Sequence, residues 1–102
     1  MVRDVRIAPG AQRQIRDALD WWYQNRKSAP DLLQSELDRA FRLIASQPRI
    51  GARSHGKRTR GVRRIHLDRV RYSLYYRATG AVEVLALWHT SRGEGPPMDD
   101  PA

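Results

Sequence analysis

Apolar positions along the chain change period several times, and each change marks an element. Residues 2–7 (VRDVRI) alternate loosely, with Val5 and Ile7 on one face, and the Ala8-Pro9-Gly10 punctuation behind them predicts a short first strand. The period then lengthens to that of a helix. Ala11, Ile15, Ala18, Leu19 and Trp22 form one stripe over residues 11–26, while Gln12, Arg13, Arg16, Asp17 and Asp20 take the other side. Pro9 suits the first turn of this helix, where a missing N–H is not needed. Trp21 and Tyr23 flank the stripe and read as packing residues for the core or a partner. Lys27-Ser28-Ala29-Pro30 ends the helix, and Ser28 or Asp31 can cap a second one. There Leu33, Leu37, Ala40, Phe41 and Ile44 repeat the stripe until Gln47-Pro48 stops it, so two amphipathic helices joined by a short link predict an antiparallel hairpin.

Residues 49–61 (RIGARSHGKRTRG) carry no apolar period and predict a loop. Three strand signals follow. Val62–Leu67 is broken by Asp68-Arg69. Val70–Arg77 alternates Val70, Tyr72, Leu74 and Tyr76 against Arg71, Ser73, Tyr75 and Arg77. Ala78-Thr79-Gly80 turns the chain into Ala81–His89, which is apolar on both faces, as a central strand should be. Trp88 alternates with Val84 and Ala86 and is expected in the core. Short connections predict an antiparallel meander. The expected fold is therefore α+β in the order β-α-α-β-β-β: a two-helix hairpin packed on a four-stranded, mainly antiparallel sheet, with the first strand at an edge or beside the last. Residues 93–102 (GEGPPMDDPA) offer nothing to bury and are expected to form a disordered tail, leaving residues 1–92 as the folded domain.

A chain of 102 residues with this apolar content suits one domain. It has no Cys, which excludes disulfides and thiolate metal sites. His55, His66 and His89 are too scattered for a metal site, and no glycine-rich phosphate loop or paired carboxylates stand in the sequence, so neither metal nor cofactor is expected. Charges interrupt the first ten residues where a signal peptide needs an apolar run, and no stretch reaches membrane-spanning length; a cytoplasmic protein with no membrane partner is expected. The net charge of +8 adds the strongest hint of function. It concentrates in residues 49–77, which hold ten basic side chains against one carboxylate. Such a segment predicts a polyanionic partner, either a phosphate backbone or an acidic protein surface.

Several words in this order resemble the RelE/ParE toxin superfamily of type II toxin–antitoxin systems, and the ParE-like plasmid stabilisation proteins within it. They are LIASQPRIGAR at Leu43–Arg53, GVRRIHL at Gly61–Leu67, YSLYYR at Tyr72–Arg77 and VEVLALWHTSR at Val82–Arg92, with Ala11, Ile15 and the Trp21–Tyr23 cluster in the first helix. The resemblance spans about residues 2–92. It implies a toxin silenced by a cognate antitoxin whose C-terminal segment wraps it, the toxin itself forming a homodimer or a heterotetramer with that antitoxin. It also implies one of two mechanisms. ParE-like members poison DNA gyrase without an active site of their own, and on that branch Arg60, Arg63, Arg64, Arg71, Arg77, His89 and Arg92 are expected to meet the antitoxin or the target. RelE-like members are ribosome-dependent endoribonucleases that cut mRNA, and on that branch Arg63, Arg77 and His89 are expected to gather round a phosphate as the catalytic set. Arg63 stands in the family's GVR word and His89 at its H-x-x-R position.

Cutting RNA through its 2′-hydroxyl needs a base, an acid and cations for the phosphate. No carboxylate lies between Asp38 and Asp68, no Tyr or second His follows His89, and Lys57 is the only lysine of the basic segment. Arginine is a poor proton donor at neutral pH. These departures favour the non-enzymatic branch, with the ribonuclease as the alternative and a plain basic nucleic-acid-binding domain as a third reading.

Overall fold

In a computed structural model of the chain, residues 2–54, 61–92 and Pro96 are described. A short strand β1 (Val5–Ile7) leads into α1 (Pro9–Asn25) and α2 (Leu32–Ser46), followed by β2 (Ala52–Arg53), β3 (Val62–Leu67), β4 (Tyr72–Ala78), β5 (Val82–His89) and a 3-10 turn at Thr90–Arg92. The strands form one sheet in the order β1-β5-β4-β3-β2. β1 runs parallel to β5 and every other pairing is antiparallel. Fold class and helix hairpin match the sequence reading, and β1 lies both at an edge and beside the last strand. His55, Lys57 and Arg60 of the expected loop, and all of the expected tail except Pro96, lie outside the described residues; Pro96 is buried.

Pro9 occupies the first turn of α1, which starts two residues earlier than the apolar stripe. No side chain of Ala8 can cap it; instead Gln12 Nε2 donates to the Ile7 carbonyl at 3.0 Å. At the other end the buried Trp22 indole N–H reaches the Ala29 carbonyl at 2.8 Å and closes the link to α2. Both predicted stripes meet the sheet: Ala11, Ala18 and Trp22 from α1, and Leu33, Leu37, Ala40 and Ile44 from α2, pack with Leu67, Leu74, Tyr76, Val82, Val84 and Leu87. This is the main core, on the helix-covered face.

The sheet has five strands rather than the four expected. The extra one, β2, pairs Ala52 with Arg64 and Arg53 with Arg63 inside a stretch with no strand periodicity. It is held by tertiary bonds. The buried Tyr76 hydroxyl donates to the Pro48 carbonyl at 2.9 Å and accepts the Gly51 N–H at 2.9 Å. Arg63 Nη1 donates to the carbonyls of Gly51 at 2.9 Å and Arg49 at 3.2 Å.

A bulge corrects the expected position of Trp88. Tyr75 pairs with Ala86 but Tyr76 pairs with Val84, so Leu85 is one residue too many in β5. One extra residue moves everything beyond it to the other face. Val82, Val84 and Leu87 therefore all reach the helix-side core, whereas Ala86 and Trp88 join Val62, Tyr75 and Leu85 in a small cluster on the opposite face. There the Arg92 guanidinium lies 4.6 Å from the Trp88 ring centre.

β4 begins at Tyr72, because Val70 and Arg71 are drawn into a turn by bonds from both their N–H groups to the Leu67 carbonyl, at 3.2 and 2.8 Å. Arg71 sits there at φ 60, a left-handed conformation. Beside it Arg69 Nη1 reaches across to the buried Glu36 carboxylate of α2 at 3.3 Å, and Arg39 approaches the same oxygen at 3.8 Å. Arg69→Ala leaves that carboxylate with the weaker partner alone. Because the Arg69 side chain is 66% exposed, the expected loss is only about 1 kcal/mol, read by urea denaturation.

Candidate functional site

β1 covers β5 only along Val82–Val84, after which the Ala8 N–H takes the Val84 carbonyl at 2.9 Å and the chain turns away into α1. The Leu87 N–H, left without a strand partner, is taken instead by Gln14 Oε1 of α1 at 3.0 Å. Where the strand has gone, a groove of about 760 Å³ opens between α1, the β3–β4 turn and the end of β5. That volume is in the range of ligand-binding clefts.

The floor of the groove is apolar, made of Ala18, Trp22, Val70 and Leu87, all of them buried. Its rim is cationic: Arg26, Arg69, Arg71 and Arg92 line it against Asp17, the single carboxylate among the described residues there. Arg69 is engaged with Glu36. Arg71 and Arg92 have no carboxylate partner among the described residues.

The aromatic side chains of the groove are already engaged with neighbours. Arg26 lies 5.2 Å from the Trp21 ring centre and 5.7 Å from that of Trp22. Tyr72 and His89 meet edge to face at 5.0 Å. The Tyr72 phenol has its pKa raised by burial, partly offset by the nearby Arg92 guanidinium, and stays neutral at ordinary pH. His89 Nδ1 accepts the Ser91 N–H at 3.1 Å and lies 2.6 Å from Ser91 Oγ. An N–H can donate only to a bare nitrogen, so these bonds assign the imidazole proton to Nε2.

Of the residues expected from sequence, the structure brings Arg71, His89 and Arg92 together in this groove. It does not bring Arg63, Arg77 and His89 round one phosphate. β4 and β5 run antiparallel, so His89 pairs with Tyr72 while Arg77, five residues away along β4, pairs with Glu83. Five residues of strand separate them by roughly 17 Å. Arg77 also contacts Glu83 through Nη1 at 3.8 Å, with its buried Nε left without a hydrogen-bond partner. Arg63 pairs with Tyr76, of the helix-side core, while Arg77 pairs with Val62, of the outer cluster, so the two start from opposite faces. Arg64, paired with Tyr75, is exposed on the outer face. Arg60 lies outside the described residues. Arg26 and Arg69 escaped the sequence reading, since the groove joins three segments distant along the chain and no linear pattern marks them.

Four guanidinium-bearing side chains round an apolar floor make a surface whose chemistry suits an anion. Among the described residues that line it, the one imidazole has Nδ1 committed to Ser91 and the one carboxylate, Asp17, stands on α1.

The sequence pattern of the family described as "ParE toxin of type II toxin-antitoxin system, parDE" matches residues 5–93. No curated protein matches the chain. Among solved structures, a chain from the chromosomal ParDE TA system of P. aeruginosa superposes with a TM-score of 0.69 at 15% identity, over 86% of this chain and 96% of that one. At that identity the likeness is one of fold.

Proposed function

The chain belongs to the ParE toxin family of type II toxin–antitoxin systems, and from that premise we propose that it acts in the cytoplasm as a non-enzymatic toxin, poisoning DNA gyrase or a similar essential target until a cognate antitoxin neutralises it. The observation that carries this reading is the separation of Arg63 and Arg77 from His89 by the strand register. RNA cleavage needs an acid and a base on opposite sides of one phosphate. Here the cations stand apart, and the only imidazole among them is tied through Nδ1 to Ser91. A cationic surface with no acid–base pair among the described residues suits recognition of an acidic protein.

The test is a pair of assays with the purified chain. DNA supercoiling by gyrase is expected to fall as the chain approaches equal molar ratio, and mRNA in a translating extract is expected to remain intact. Site-specific cleavage of mRNA that disappears in His89→Ala would establish the ribonuclease instead. The adjacent gene should encode a short acidic protein with a DNA-binding N-terminal part, and co-expression of that protein should relieve growth arrest.

A further inference from the structure

We propose that the C-terminal segment beyond Arg92 is a ligand for its own sheet. Pro96 seats on Tyr75 and Trp88 of the outer face, and the carboxylates of Asp99 and Asp100 meet Arg64 and Arg77, closing that face to outside anions. This contact is independent of the gyrase reading and adds a self-covered surface to the chain.

The outer face is buried although no helix covers it. α1 and α2 both pack on the opposite side, and a sheet face left to solvent carries polar, accessible side chains. Here Val62, Ala86 and Ser73 are buried and the large Tyr75 side chain is only 7% exposed. All four stand on the outer side, Ser73 through its pairing with Trp88. A ring of that size on such a face needs a cover.

The chain is led to this face and is long enough to supply the cover. Arg92 folds back over Trp88, its guanidinium 4.6 Å from the ring centre. Pro96, four residues further on, is buried. Four residues span at most about 14 Å, so whatever buries Pro96 lies close to Trp88. Pro96 is not among the described residues that line the groove between α1 and β5, whereas the outer cluster is an apolar surface within its reach. The Pro96-Pro97 pair brings no N–H donor and favours extended backbone. It is therefore unsuited to joining a sheet edge as a strand and well suited to lying flat on aromatic rings.

Charge sets the course beyond Pro96. Residues 93–102 carry Glu94, Asp99 and Asp100 and no basic side chain. Arg64, exposed and paired with Tyr75, has no carboxylate partner among the described residues. Arg77, two residues from Tyr75 on the same side, has Glu83 at 3.8 Å and a buried Nε without a hydrogen-bond partner. From a proline over Tyr75, the neighbouring strand lies about 5 Å away and two residues of strand cover about 7 Å. Three residues of chain reach about 10 Å, which brings Asp99 to either arginine.

The experiment uses the full chain, whose lack of cysteine lets a nitroxide at Met98→Cys label the tail alone. Paramagnetic broadening of backbone amides is expected at Arg64, Tyr75 and Arg77, and not at Gln34 and Asp38 of α2. Asp99→Asn with Asp100→Asn, or salt of about 1 M, should remove most of the broadening at the two arginines. Pro96→Gly should reduce it at Tyr75. Inorganic tripolyphosphate, titrated against the Arg64 and Arg77 amides, should bind on the order of tenfold more tightly to the chain with both aspartates neutralised. Asp20→Asn with Asp38→Asn changes the net charge equally on the helix side and should leave that affinity unchanged. Broadening confined to the groove residues Gln14 and Val70 would overturn the proposal. So would broadening at Arg64 that is indifferent to Asp99 and Asp100, or equal tripolyphosphate affinity in the neutralised and parent chains.

Discussion

Replacing Tyr76 with alanine is expected to destabilise the domain by about 3–5 kcal/mol, as for large aromatic deletions from a packed core. A domain of this size has a total stability of roughly 5–15 kcal/mol, so the variant stands near the edge of folding. Tyr76 is fully buried in the helix-side core, and its hydroxyl alone ties the Pro48 carbonyl and the Gly51 N–H to the sheet. The milder Tyr76→Phe keeps the ring and removes only the hydroxyl, with an expected loss of about 1–3 kcal/mol from two buried groups left unpaired. Urea denaturation measures both. The phenol also sets a pH dependence. Its pKa is raised above 10.0, first by burial, against the Gly51 N–H and the Arg63 guanidinium, which lower it. The folded chain therefore holds this proton more tightly than the unfolded chain does. Its contribution is complete below pH 10.0 and is lost as pH rises from there through the folded value. Stability is expected to fall on the alkaline side of pH 10.0, and to fall less in Tyr76→Phe, with Tyr72 supplying the remaining phenol effect in the same direction.

Gly51→Ala carries the second large effect, through the same contact seen from the other side. A β-carbon at Gly51 would stand 2.7 Å from the Tyr76 hydroxyl, 2.9 Å from its Cε1 and 3.0 Å from the Arg64 carbonyl. Neither a core ring nor a strand carbonyl yields easily, so the expected cost is about 1–3 kcal/mol. The two substitutions should not add. In Tyr76→Ala the ring that obstructs the new methyl is gone, and Gly51→Ala should then cost markedly less, with only the Arg64 carbonyl still in the way. A double-mutant cycle by urea denaturation reads this directly, and full additivity would show that β2 is not held through Tyr76.

The helices were legible because their stripes keep the helical period over four turns, and burial follows that period whatever the partner surface. Ala11, Ala18 and Trp22, and Leu33, Leu37, Ala40 and Ile44, all pack where the pattern places them. The meander was legible from its short connections. Three features were not. β2 has no periodicity of its own and exists because Tyr76 and Arg63, far along the chain, bind its approach. The bulge at Leu85 is hidden in a strand apolar on both faces, where moving to the other side changes no residue type, so Trp88, expected in the core with Val84 and Ala86, packs with Ala86 but on the face opposite Val84. The left-handed turn at Arg71 lacks the Gly or Asn that would announce it.

The site was legible in part for the same reason. Charge along the chain marked residues 49–77 as basic, but a linear count does not tell which cations share a face. Arg71 and Arg92 meet His89 because the β3–β4 turn and the end of β5 are adjacent in an antiparallel pair, and that same pairing carries Arg77 to the far end. Arg26 and Arg69 enter the groove from the end of α1 and from the turn, positions that become neighbours only in the folded chain.

The measurement closest to the central claim is induced expression of the chain in growing bacteria with DNA and protein synthesis labelled in parallel. DNA synthesis is expected to stop first, with mRNA intact and protein synthesis continuing. Protein synthesis stopping first, with cut mRNA, would contradict a non-enzymatic toxin directed at gyrase.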